Sequence, residues 1–168
     1  MILNGSRDSG GIDFGQTLNY SLVYANKGES EMKDVVIMAV LEGVLLDWTT
    51  LKDTNKGVAQ TNSITWSKAE IPGLAGVGVG QEGTSDFSIN VSSSTEIDIN
   101  KSYEIKSYAG FLLGGQKKST DEMTSNTIVS KLNSDTNLKE QVKYFNDDNI
   151  AVGSGPLPPK VGQTTSFK

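Results

Sequence analysis

Thr17-Leu18-Asn19-Tyr20-Ser21-Leu22-Val23-Tyr24-Ala25 alternates between two kinds of side chain. Leu18, Tyr20, Leu22 and Tyr24 fall on one side of an extended chain, and Asn19, Ser21 and Val23 fall on the other. Period two with β-favouring side chains predicts a strand with one buried face. Asn26-Lys27-Gly28 supplies the turn that ends it.

The pattern recurs outward from that strand. Residues 35–41 (Val-Val-Ile-Met-Ala-Val-Leu) form a continuous apolar run. Their β-branched content and the nearby Gly43 favour a buried strand, with a short helix as the alternative. Residues 44–49 predict a strand with Leu46 and Trp48 on one face, and residues 63–67 do the same for Ile64 and Trp66. Residues 84–91 align Phe87, Ile89 and Val91. Residues 103–111 alternate Tyr103, Ile105, Ser107, Ala109 and Phe111 against Glu104, Lys106 and Tyr108. Residues 125–132 place Ile128 and Leu132 together, and residues 142–145 and 149–152 suggest a last hairpin. Residues 71–83, rich in Gly, read as a loop.

Seven to nine short strands between turn signals, with no convincing helix, predict an all-β, antiparallel β-sandwich. The expected core is Leu18, Tyr20, Leu22, Ile64, Trp66, Phe87, Ile89, Tyr103, Ile105 and Ile128.

Composition narrows the chemistry. The 168 residues include 0 Cys and 0 His, which removes disulfides, thiolate nucleophiles and imidazole catalysis. The 15 basic residues include one arginine, Arg7, so no arginine clamp for phosphate can form. A net charge of −5 argues against nucleic acid and anionic membrane as partners. The longest apolar run is far short of a membrane span.

The order of motifs resembles a known family. Gly15-Gln16-Thr17-Leu18-Asn19-Tyr20-Ser21-Leu22 followed by Asn26-Lys27-Gly28 is similar to the opening of the bacterial conserved-repeat domains of cell-surface proteins. Asp34-Val35-Val36-Ile37, then Ile64-Thr65-Trp66, Leu74, Gly83, Phe87-Ser88-Ile89-Asn90-Val91 and Ser125-Asn126-Thr127 continue the likeness over most of residues 13–133. Leu41-Glu42-Gly43 lacks the proline turn often found there, and residues 51–63 and those after Asn133 run longer than in the family. The resemblance implies an Ig-like sandwich, tandem repetition and display at a bacterial surface, extracellular or secreted. It brings no catalytic residues.

Residues 153–160 (Gly-Ser-Gly-Pro-Leu-Pro-Pro-Lys) have linker composition. After them, Val161-Gly162-Gln163-Thr164-Thr165-Ser166-Phe167 matches the order of Phe14-Gly15-Gln16-Thr17-Leu18-Asn19-Tyr20. The expected organisation is a module over 1–152, a linker over 153–160, and the first strand of a following module over 161–168. The chain reads as cytoplasmic or as a piece of something longer, and this ending favours the piece.

Each candidate site has a plain competitor. Gly78-Val79-Gly80-Gln81-Glu82-Gly83 has dinucleotide-loop spacing, but a strand pattern follows it where a helix is needed, so an inter-strand loop is expected. Asp53-Thr54-Asn55-Lys56-Gly57 resembles the start of a calcium loop without the later ligands. Asp147, Asp148 and Asn149, just before the linker, are the candidate calcium ligands at a module junction, against a solvated turn. No other cofactor is implied. Tyr108 and Trp48 are the candidate stacking residues for a glycan, whereas Trp66 is assigned to the core. Lys33 or Lys106 with Asn126 and Glu104 supplies the residue types of an internal amide crosslink.

The leading expectation is a non-catalytic structural or adhesive repeat module. Its partners would be neighbouring modules of the same chain and a surface glycan or protein. A carbohydrate-binding module is the alternative, and a small enzyme using paired carboxylates the remote one.

Overall fold

A computed structural model of the chain describes residues 1–93, 103–114, 123–133, 143–145, 147 and 149–167. It divides into two compact units, Met1–Asn133 and Ser134–Lys168. The first unit is a two-sheet sandwich. Its strands are β1 (Ile2–Leu3), β2 (Gly10–Ile12), β3 (Thr17–Ala25), β4 (Met32–Lys33), β5 (Val36–Glu42), β6 (Leu46–Asp53), β7 (Val58–Ala59), β8 (Ser63–Trp66), β9 (Gly76–Val77), β10 (Glu82–Val91), β11 (Glu104–Leu112) and β12 (Ile128–Leu132). One sheet has the order β1-β3-β10-β6 and the other β2-β12-β11-β5-β8-β7, with β4 and β9 forming a separate pair.

The pairing is antiparallel except where β2 lies parallel to β12. The N-terminal segment thus switches sheets: β1 joins β3 in one, and β2 caps the edge of the other. The crossing is made at Asn4-Gly5, both at positive φ, with Leu3 and Ser6 exchanging backbone hydrogen bonds.

The alternation of β3 is realised as read: Leu18, Tyr20 and Leu22 are buried, and Tyr24 is half-buried. Ile64, Trp66, Phe87, Ile89, Ile105 and Ile128 are buried with them. Tyr103 departs from the expectation, packing against the core while only partly buried. The run expected over 35–41 is a strand, Val36–Glu42, and not a helix; Ile37, Ala39 and Leu41 face inward while Val36, Met38 and Val40 stay half-exposed on the outer face.

Two readings need correction. Residues 71–83 are more than a loop, because they contain a 3-10 turn, Pro72–Ala75, and strand β9. Leu74 and Val77 from this stretch are buried in the core. The strand expected over 44–49 runs instead from Leu46 to Asp53, and its register against β10 shifts between Ser88 and Asn90. Asp47 holds that irregularity, accepting from the Thr49 N–H at 3.1 Å and the Thr49 hydroxyl at 2.6 Å. The Thr50 hydroxyl then accepts the Asn90 N–H at 2.9 Å, replacing a ladder bond.

The aromatic centre ties the sheets together. Tyr20 stacks on Phe87 with centroids 5.0 Å apart, and Trp66 packs on Phe87 at 5.7 Å. The Tyr20 hydroxyl shares a 2.9 Å hydrogen bond with Ser107 of the opposite sheet.

In the second unit, Phe145 pairs with Ala151 and Ser154 with Ser166 as isolated antiparallel bridges. The Tyr144 ring meets Phe145 and Phe167 edge-on. The hairpin expected over 142–145 and 149–152 is present in its described part, with the Val152 N–H donating to the Tyr144 carbonyl at 2.8 Å.

Candidate binding cleft

Strand β1 pairs with β3 opposite Tyr20 and Ser21. On the facing sheet, past Ser107 the edge of β11 is continued by Ser125, whose N–H donates to the Ala109 carbonyl at 2.8 Å, and by Thr124, which bridges to Gly110. A cleft of about 470 Å³ lies between the sheets beside the last residues of β3. Leu22, Tyr24, Met32, Val35, Ile37, Val77, Phe111 and Met123 make its lining largely apolar.

Asn26 organises the cleft's upper rim. It is 2% exposed, and its side-chain amide donates to the carbonyls of Ser30 and Val77, each at 2.8 Å. Its Oδ1 accepts the Gly28 N–H at 3.0 Å. These bonds satisfy the buried amide and fix the loop after β3 against β9. The signal was legible as a turn sequence; the second partner, 51 residues away, was not.

The other sequence candidates fall elsewhere. Tyr108 lies on the outer face of β11, where its hydroxyl donates to Glu42 Oε1 at 3.3 Å. Burial and the Glu42 carboxylate raise its pKa. Trp48 lies in the irregular part of β6 and packs partly against the core. The two belong to different sheets and form no joint platform.

The stretch at Asp53 is a turn held by hydrogen bonds. Asp53 Oδ2 accepts from the Trp66 indole at 2.8 Å and from the Gly57 N–H at 2.6 Å, while Oδ1 accepts the Asn55 N–H at 2.9 Å. The carboxylate serves a buried tryptophan and its own turn. A side chain at Gly57 would place its Cβ 2.5 Å from Trp66 Nε1, so only glycine permits the approach.

Asp148 lies outside the described residues. Asp147 pairs with Lys143, and Asn149 has φ 63. Among the described residues no group of three metal-binding side chains occurs.

Of the crosslink components, Lys106 and Glu104 meet, whereas Asn126 bonds elsewhere. Lys106 pairs with Glu104 at 3.3 Å with half its side chain exposed. Asn126 instead accepts from the Met1 amine at 3.4 Å and donates to the Arg7 carbonyl at 3.3 Å. Lys33 is exposed on β4.

Gly78 to Gly83 is a closed inter-strand turn. The Gly78 N–H donates to Gln81 Oε1 at 2.8 Å, Gly80 has φ 74, and β10 follows directly. Without a helix N-terminus no phosphate cradle exists there. Calorimetry with NAD and with ATP is expected to show no binding heat; micromolar binding of either would contradict this.

No protein-family model matches the sequence, and no curated protein matches it. Solved structures do. The chain resembles the C-terminal domain of the Streptococcus agalactiae AgI/II polypeptide BspA, at 14% identity and TM-score 0.51, covering 89% of this chain and 52% of that one. It therefore spans about half the length of that structure. The fold is an Ig-like antiparallel β-sandwich.

A type I cohesin of ScaB from Pseudobacteroides cellulosolvens matches at 7% identity and TM-score 0.42, covering 83% of this chain and 95% of that one. A collagen-binding domain from a Staphylococcus aureus adhesin matches at 12% identity and TM-score 0.36, covering 77% and 92%. No helix among the described residues is long and apolar enough to cross a membrane.

Proposed function

We propose that the chain is a non-catalytic structural or adhesive module of a bacterial surface or secreted protein, acting through protein contacts. The observation that carries this reading is the cleft, whose lining is mostly aliphatic and aromatic. Such a place suits an apolar side chain of a protein partner better than a polar substrate. The resemblance to conserved-repeat domains of cell-surface proteins and the likeness in fold to the C-terminal domain of the AgI/II polypeptide BspA point the same way.

Retention on peptidoglycan and plant polysaccharides, with a glycan array, tests the reading. No retention is expected. Saturable binding abolished by Tyr108→Ala or Trp48→Ala would replace it with the carbohydrate-binding alternative.

The boundaries 1–152, 153–160 and 161–168, with a following module after the linker, belong to the same proposal. Val161 is fully exposed, whereas Ser166 pairs with Ser154 and Phe167 meets Tyr144. Deleting residues 156–168 is expected to leave the melting temperature of the sandwich nearly unchanged. A fall of more than about 5 °C, the effect of about 1–2 kcal/mol in a domain of this size, would make the tail an integral part.

A further inference from the structure

We propose that the sandwich bears tension: a pull along the chain is resisted by β2 and β12, loaded in shear against each other. This rests on the reading as a structural module of a surface or secreted protein and says what that module withstands.

Strand direction decides how the pull is met. Strands β2 and β12 form the one parallel pair among the described strands, with Gly10, Gly11 and Ile12 opposite Ser130, Lys131 and Leu132. The chain enters β2 at Gly10 and leaves β12 at Leu132, and in a parallel pair those points lie at opposite ends. A pull between them runs along both strands in opposite senses. The inter-strand hydrogen bonds lie across that direction, so they share the load. Were the two strands antiparallel, entry and exit would lie at the same end, and the bonds would open one after another.

The pair is pinned beyond its three-residue ladder. Before it, the Val129 N–H donates to the Ser9 hydroxyl at 3.0 Å. After it, the Asn133 N–H donates to the Ile12 carbonyl at 2.8 Å, and the Asn133 side-chain amide donates to Asp13 Oδ1 at 2.8 Å. Ile12 and Ile128 are buried in the core, so sliding either strand also drags a packed side chain from its place.

Chain order places the pair in the load path. Tension from the C-terminal side passes Asn133, where the first unit ends, and reaches β12 before any other strand of the sandwich. From the other side, β1 and whatever precedes it come free before β2 is loaded. The shear arrangement is therefore the same wherever the polypeptide starts.

Single-molecule pulling of the full chain is the test. The chain has 0 Cys, so one introduced cysteine gives a unique attachment point. The other handle is fused to the C-terminus. Asp8→Cys attaches before β2 and Phe14→Cys after it, both at exposed positions. The first geometry shears β2 against β12. The second leaves β2 out of the path and pulls from the end where Asp13 meets Asn133, so β12 is peeled away. Melting temperatures check that both variants fold, and opening of the sandwich is recognised by a length gain of about 400 Å in either geometry.

At equal pulling speed, the rupture force through Asp8→Cys is expected to be about twice that through Phe14→Cys or more, since forced unfolding follows the barrier and not the overall stability. Gly10→Pro is the second probe. Ile12 turns its carbonyl toward β12, so Gly10, two residues earlier, turns its N–H the same way. A Cβ at Gly10 meets nothing within 4 Å. Added to Asp8→Cys, Gly10→Pro should lower the force toward the Phe14→Cys value, whereas Gly10→Ala, which keeps the N–H, should leave it unchanged. Equal forces in the two geometries would overturn the proposal, as would a folded Gly10→Pro variant that ruptures at unchanged force. If Gly10→Pro does not fold, Ser9→Ala, which removes the acceptor of the Val129 N–H, is read for the same two outcomes. Such failures leave the module reading intact, since polysaccharide retention tests that through Tyr108 and Trp48.

Discussion

Replacing Trp66 with alanine is expected to destabilise the sandwich by about 3–5 kcal/mol, the cost of deleting a large buried aromatic side chain. Trp66 is 0% exposed, packs on Phe87 and lies opposite Ile37 of the central strand β5. The loss has a second part. Its indole N–H donates to Asp53, whose carboxylate also holds the turn to Gly57. Trp66→Phe keeps much of the packing and drops that hydrogen bond. It should cost about 1.5–3 kcal/mol, the range for a hydrogen bond to a charged group. Urea denaturation measures both. A loss near zero for Trp66→Ala would mean an exposed ring and would reopen its reading as a ligand platform.

The second large effect is at high pH. Burial, partly opposed by the hydrogen bond to Ser107, pushes the Tyr20 hydroxyl up to about 12 from an ordinary value of 10.0. Below pH 10 the phenol is protonated in the folded and unfolded chains alike, and its contribution is fully present. Between pH 10 and 12 the unfolded chain releases the proton while the folded chain retains it, so stability falls as pH rises toward the folded value. The loss from this one group is about 2 kcal/mol at pH 12. The difference in unfolding free energy between wild type and Tyr20→Phe should therefore shrink or reverse over that interval, since every other titrating group is shared. Parallel curves for the two proteins would show that Tyr20 ionises as freely folded as unfolded.

Much of the fold was legible, for reasons visible in single strands. β3 was readable because one of its faces is dry and the other wet, which prints a period of two on the sequence. β5 left a helix open because its outer residues Val36, Met38 and Val40 are apolar as well. Leu74 and Val77 were hidden in a glycine-rich stretch, although they plug the core. The shift in β6 depends on Asp47 and Thr50 bonding to backbone groups, and nothing in local composition distinguishes them from ordinary polar strand residues.

The cleft was the least legible feature. Its lining comes from Leu22 and Tyr24, Val35 and Ile37, Val77, and Phe111 and Met123, segments that only the pairing of distant strands brings together. The parallel contact of Gly10–Ile12 with Ser130, Lys131 and Leu132 is of the same kind. Tyr108 and Trp48 were singled out for their chemistry, yet placement on separate sheets depends on topology.

The central claim is a sandwich whose four-stranded sheet is held together by β3 paired along its length with β10. Amide hydrogen exchange of the isolated chain, read residue by residue, tests it most directly. The account predicts strong protection at Leu18, Tyr20 and Leu22, whose amides face β10, and weaker protection at Val23, whose amide faces away from it. Protection at Val23 above that of Tyr20 and Leu22 would contradict it, because it would mean that β3 meets β10 in another register.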